Sequence, residues 1–177
     1  MSQAEIAGGT FTPANEFPSK GHLLHDFSLE TATGKKINLS DYRGRASLVL
    51  VFPDNEDESS KLLSDLAVRS AEIKQEEAEV LVITWSGHDR IQESQDQAHV
   101  PYAVQIDRDG RLHERFGAVD AQGRACSAVY ITDRFAEVFA VYRRRNGQKL
   151  PTFTEILSWL EFVNSQCPEC EAPEWPI

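Results

Sequence analysis

Two short, continuous apolar runs, Ser47 to Phe52 (SLVLVF, closed by Pro53) and Val80 to Thr84 (VLVIT), constrain this chain more than any other feature. Such runs are the pattern of strands buried on both faces of a sheet. Between them, from about Glu58 to Glu76, Leu62, Leu63, Leu66, Ala67 and Ile73 recur at helical spacing, with Asp57 or Ser59 available to cap the start. A strand, a helix and a second strand in this order form a right-handed parallel unit, which puts the chain in the α/β class.

Around that unit the sequence predicts smaller elements. Phe27 to Glu30 and Lys36 to Leu39 flank the turn signal Thr33-Gly34 and read as a hairpin, with Ser40-Asp41-Tyr42 opening a helical turn. Asp89 to Ala98 reads as a polar helix, Tyr102 to Ile106 as a third strand, and Leu112 to Phe116 as a short helix after the Asp109-Gly110 turn. Ala128 to Ile131 and Glu137 to Tyr142 are separated by only a few residues and read as an antiparallel pair. A last helix is expected from about Phe153 to Val163, with Phe153, Ile156, Leu157, Leu160 and Val163 on one face. The expected organisation is an irregular arm over 1–20 with a short strand near Thr10 to Phe11, one domain over 21–165, and a tail over 166–177.

Charge and cysteine content narrow the function. A net charge of −10 over 177 residues, with a pI near 4.9, argues against nucleic acid, whose phosphates need a basic face. No apolar run approaches the roughly 20 residues of a membrane span, and MSQAEIAGGT lacks the parts of a signal peptide, so a cytoplasmic protein without a membrane partner is expected. Three cysteines, Cys126, Cys167 and Cys170, are too few for a disulfide-stapled domain.

The motifs sharpen the fold. His25-Asp26-Phe27-Ser28-Leu29, then Gly34, then Ile37-Asn38-Leu39-Ser40-Asp41-Tyr42-Arg43-Gly44, then Ser47 to Pro53, resembles the opening of a peroxiredoxin of the AhpC/TSA (redoxin) family. Glu79 to Trp85, Asp107 to Gly110 and Tyr130 to Asp133 resemble that family's second strand, its DxxG turn and the strand that closes on Asp. The resemblance implies a thioredoxin-like fold, a central mixed sheet with flanking helices and an N-terminal hairpin extension. It also implies an antioxidant, thiol-dependent oxidoreductase class, a thioredoxin-type reductant and a homodimer.

The family's signature is a proline, a threonine or serine four residues on, and the peroxidatic cysteine three further. Pro53 is retained, but the other two positions hold Asp57 and Ser60. The arginine expected six residues before Asp133 is Ser127. The thiolate is the attacking species, and a positive field that lowers its pKa to about 6 raises the ionised fraction roughly thirtyfold at pH 7. Sulfur and arginine are both missing at these positions. A Ser60 nucleophile would need an adjacent base, and no histidine is placed beside it by the local sequence. Asp54, Glu56, Asp57 and Glu58 read as solvated carboxylates at a helix start. The stretch lacks the glycine and terminal glutamate of a calcium loop.

Cys167-Pro168-Glu169-Cys170 is the most informative local motif. In a turn its cysteines lie within disulfide range, so Cys167 and Cys170 form a candidate redox pair. The loop is too short to staple the fold, contributing only about 2 kcal/mol. Zinc is the alternative ligand, with Cys126, a histidine or a second chain completing the four donors. A third reading gives the motif no chemistry. The run from Ile156 to Cys170 with Pro173 to Pro176 resembles the tail of a bacterial redoxin-like subgroup. No cofactor is implied, and a non-catalytic binding module using the tail as an interface is the competing function.

Cys126 reads either as a small buried hydrophobe or as a displaced thiol facing the vacated site. His22, His25, His88, His99 and His113 show no metal-ligand spacing and are given no catalytic role. Trp85-Ser86-Gly87-His88 follows a strand at the edge where open α/β sheets bind ligands. Arg143-Arg144-Arg145 reads as a solvated turn. Trp159 and Trp175 read as core packing or as a surface for a partner chain.

Overall fold

The computed structural model describes residues 16–31, 33–85 and 100–166. The expected strand near Thr10, the helix from Asp89 to Ala98, the loop from Ser86 to His88 and the tail from Cys167 onward lie outside them.

The apolar runs form the centre of the sheet. In chain order the described elements are β1 (Ser28–Thr31), β2 (Lys36–Asn38), a 3-10 turn (Leu39–Tyr42), β3 (Ser47–Phe52), α1 (Asp57–Val68), α2 (Ser70–Gln75), β4 (Ala78–Trp85), β5 (Ala103–Asp107), α3 (Arg111–Arg115), β6 (Ala128–Thr132), β7 (Val138–Arg143), a 3-10 turn (Arg144–Asn146) and α4 (Phe153–Ser165). The strands lie in the order β2-β1-β5-β4-β3-β6-β7. β5, β4 and β3 pair parallel in the centre, flanked by antiparallel β2-β1 on β5 at one side and by antiparallel β6-β7 on β3 at the other.

Why β3 is apolar throughout follows from its two neighbours in depth. Val49 and Val51 face the core under the helices with Leu66, Ile73, Ile156 and Leu160. Leu48, Leu50 and Phe52 face a second core with Leu39, Leu112, Phe116 and Tyr130. Side chains alternate along a strand, so only a strand covered on both faces needs every position apolar. Each fully buried side chain of this size contributes about 1.5–3 kcal/mol.

Two expectations are corrected. The single helix from Glu58 to Glu76 is two: Arg69 turns away at φ −106°, ψ 23°. Its guanidinium lies 3.9 Å from the Phe153 ring centre and pairs with Glu72 at 2.7 Å, so the break carries its own contacts. Neither Asp57 nor Ser59 caps α1; the cap position is Glu56, without a side-chain bond. The Ser59 hydroxyl is engaged elsewhere, accepting from Asp54 N at 3.1 Å. By contrast α4 opens on a complete capping box, Thr152 Oγ1 accepting from Glu155 N and Glu155 Oε2 from Thr152 N.

Leu66 is fully buried beneath α1 while Val68, two residues on, is 82% exposed. Leu66→Ala is therefore expected to cost about 2–5 kcal/mol, and Val68→Ala to stay within about 0.5 kcal/mol, as read by urea denaturation.

Candidate active-site cleft

Pro53 ends β3 and delivers Asp54 to the head of α1, where its carboxylate is buried. Oδ1 accepts from Glu56 N at 3.1 Å. Oδ2 accepts from Ser127 N at 3.0 Å and from Arg144 Nη1 at 3.2 Å. Arg144 N in turn donates to Ser127 O at 3.0 Å, and Arg144 Nε lies 3.8 Å from Glu58 Oε2. Glu58 Oε1 accepts from Leu150 N at 3.0 Å. One carboxylate thus ties the end of β3, the head of α1, the approach to β6 and the turn after β7. Bonds to a charged group contribute about 1.5–3 kcal/mol each.

These groups border a cleft of about 430 Å³ whose walls include Asp54, Glu56, Asp120, Arg124, Cys126 and Arg144. Asp120 accepts from Arg124 N and Nε, both at 2.9 Å, and these bonds hold its carboxyl below the ordinary value. Cys126 is half-buried, its N–H donating to Ala118 O at 2.9 Å. Burial pushes its thiol up, Asp54 and Asp120 add to the rise, and Arg144 and Arg145 oppose it without prevailing. Two ion pairs and one further carboxylate leave this wall with a negative balance, so the thiol stays protonated near neutral pH.

Comparison with known proteins gives the lineage. The profile of the AhpC/TSA family matches residues 21–141. This chain belongs to the AhpC/TSA family. Among solved structures it is similar to peroxidoxin BcpB from Mycobacterium tuberculosis (TM-score 0.68, 19% identity, 82% of this chain and 98% of that one). It is also similar to the reduced 2-Cys peroxiredoxin of Plasmodium vivax (0.66, 13%, 80% of each chain). A third is a Chlorobium tepidum protein described as the thiol:disulfide interchange protein DsbE (0.63, 19%, 83% and 98%). No curated protein sequence matches the chain. The thioredoxin-like α/β fold expected from the motifs is the one observed.

In this AhpC/TSA member the signature positions separate. Pro53 is buried beside the cleft, but Ser60 is exposed in the first turn of α1, its hydroxyl donating to Glu56 O at 3.4 Å. The hydroxyl that reaches the Asp54 network is that of Ser59, one residue earlier. Ser127 is buried, and its Oγ has no hydrogen-bond partner among the described residues. The reading of Arg143 to Arg145 as a solvated turn is corrected. Arg144 supplies a guanidinium beside Ser127, and Arg143 Nε donates to Tyr130 Oη at 2.8 Å, which donates to Phe116 O at 2.5 Å. Burial pushes the Tyr130 phenol up to about 12 despite Arg143. The register Ala128 opposite Arg143 is what brings Arg144 next to Ser127, and a hairpin reading of β6 and β7 carried to register would have found it. Cys126 lines the cleft and is half-buried. Cys167 and Cys170 lie outside the described residues. Among the described residues no cluster of three metal-ligating side chains forms, and no helix is long and apolar enough to cross a membrane.

A second titratable pair escaped the sequence reading. His113 Nδ1 lies 2.8 Å from Asp107 Oδ2, both groups buried, and His113 N donates to the same oxygen at 2.9 Å. Trp85 and Phe52 pack on the imidazole with ring centres 5.4 and 5.1 Å away, and Nε2 has no hydrogen-bond partner among the described residues. A side-chain Cβ at Gly110 (φ 73°) would collide with Trp85, so glycine is required where α3 begins. Burial raises the Asp107 carboxyl, but the His113 bonds outweigh it and hold the group below its ordinary value. Spacing alone, six residues across a turn, carries no signature for such a pair.

Asp54→Asn is expected to move the pH profile of Cys126 alkylation by iodoacetamide to lower pH, because a charge that raises the thiol is gone, and to cost about 1–3 kcal/mol of stability. The Asp107 contribution exists above the ordinary carboxyl pKa and is lost as pH falls through the lowered folded value. His113→Phe should accordingly destabilise the protein and shrink the acid limb of its stability profile, measured by urea unfolding between about pH 2 and 6.

Proposed function

We propose that this member of the AhpC/TSA family belongs to the thiol–disulfide oxidoreductase class but does not reduce peroxide at the head of α1. The observation that carries this reading is the buried Asp54 carboxylate on Arg144, with a hydroxyl in place of a thiol at Ser60. A guanidinium already neutralised by an internal carboxylate adds little positive field for a thiolate, and the Ser60 hydroxyl is turned to the Glu56 carbonyl rather than to a histidine base. Cys126, the thiol that does reach the cleft, is pushed up by burial and by that same carboxylate.

Thiol chemistry then falls to Cys167 and Cys170. As a dithiol the pair gives two electrons and two protons to a disulfide substrate, closing its own S–S bond as the substrate's bond breaks. A thioredoxin-type dithiol returns the electrons by two successive exchanges. The cytoplasmic setting and a homodimer belong to the same proposal and rest on kinship and composition.

Two assays test it. With a thioredoxin system as reductant, hydrogen peroxide consumption should not exceed that of the reductant alone, and Ser60→Ala should change nothing. Turnover that survives Ser60→Ala and disappears in Cys126→Ala would place the nucleophile at Cys126 and sink the proposal. Reduction of insulin disulfides by dithiothreitol should be accelerated by the protein and fall to the uncatalysed rate in Cys167→Ser and in Cys170→Ser. Equal rates with and without the intact pair, together with zinc uptake that needs both cysteines, favour the binding module.

A further inference from the structure

Strand β5 carries polar side chains at positions where a covered strand needs apolar ones. Val104 faces the core under the helices with Val80 and Val82. Side chains alternate along a strand, so Ala103, Gln105 and Asp107 face the other core, that of Phe52, Leu81, Ile83 and Phe116. In β4, Ile83 stands opposite Gln105 and Trp85 opposite Asp107. Gln105 is 1% exposed, Asp107 2% and His113 0%.

Asp107 satisfies only one side of the imidazole. An ionised carboxylate only accepts, so the hydrogen between Asp107 Oδ2 and His113 Nδ1, 2.8 Å apart, belongs to Nδ1, and Nε2 of the neutral ring is a bare acceptor. Nε2 has no hydrogen-bond partner among the described residues, and neither have Oε1 and Nε2 of Gln105. Asp107 and Gln105 stand two residues apart on one strand face, about 6.6 Å at strand rise. The imidazole held by the first and the carboxamide of the second are therefore neighbours that do not bond each other. Buried polar groups of folded proteins are almost always paired, and three orphans in one patch would forfeit a large share of a domain's marginal stability.

We propose that one internal water molecule sits between His113 Nε2 and the Gln105 carboxamide. It donates one hydrogen to Nε2 and meets the carboxamide with the other hydrogen or with its oxygen. A buried water needs two to four polar partners, and three atoms are on offer here. The site takes a neutral donor rather than an ion, because Phe52, Ile83 and Trp85 wall it and the Asp107 charge is already engaged by His113. Gln105 is thereby a positioning residue that sets the imidazole through the water, and the series Asp107, His113, water, Gln105 ties the head of α3 to the middle of β5.

The test uses the full chain labelled with ¹⁵N. Long-range proton–nitrogen spectra should show His113 as the Nδ1–H tautomer. The Gln105 carboxamide hydrogens, shielded from bulk solvent, should give direct cross-relaxation peaks at the water frequency. In Gln105→Leu the tautomer should persist while the Nε2 resonance of His113 moves toward that of an unbonded ring nitrogen. In urea, the midpoint lost by the double variant Gln105→Leu, His113→Phe should be smaller than the sum of the two single losses. Carboxamide hydrogens without a water peak, an Nε2–H tautomer, an Nε2 resonance indifferent to Gln105→Leu, or additive midpoint losses would each overturn the proposal. Should either variant fail to fold, the spectra of the unsubstituted chain decide it alone.

Discussion

Much of this structure leans on one buried carboxylate. Asp54 accepts hydrogen bonds from three segments, and two of its partners stand 73 and 90 residues away in sequence. A carboxylate out of water is tolerated only when its oxygens are fully engaged. Here Ser127, Arg144 and Glu56 engage them, and Ser59 receives the Asp54 amide. The same arrangement ties the head of α1 to the residues that flank the β6–β7 hairpin.

That economy bears on chemistry. The head of α1 presents a buried anion, Asp54, held by the chain's own backbone amides and by Arg144. Arg144 stands near the cleft thiol, yet its charge is spent locally on Asp54 and Glu58. Cys126 is consequently a thiol in a lined cavity without the field that would ionise it.

The central strands were legible because burial on both faces leaves an unmistakable run: β3 spans Ser47–Phe52 as expected, and β4 extends the expected Val80 to Thr84 at both ends. The break at Arg69 was not, since no glycine or proline punctuates it and the ring its guanidinium stacks on, Phe153, lies far along the chain. Asp54 illustrates the same limit at the site. Its acidity was visible and its burial was not, because the groups that satisfy it come from the β6–β7 hairpin. The His113–Asp107 pair was missed for a different reason: six-residue spacing across a turn is common and chemically silent until the strand and helix are docked.

The meeting of β3 with β6 also has an outcome in time. Leu48 faces Thr132 and Phe52 faces Ala128, so this junction closes loops of about 80 residues, whereas the β3–α1–α2–β4 unit and the β6–β7 hairpin each assemble locally. Closing a long loop exacts its entropy before any contact repays it, and chains rich in such pairings fold slowly. Two locally formed halves waiting for each other expose the edges of β3 and β6 in the interval. Those edges carry strands buried along their whole length, so the window before they zip together is when self-association in a crowded cell would begin.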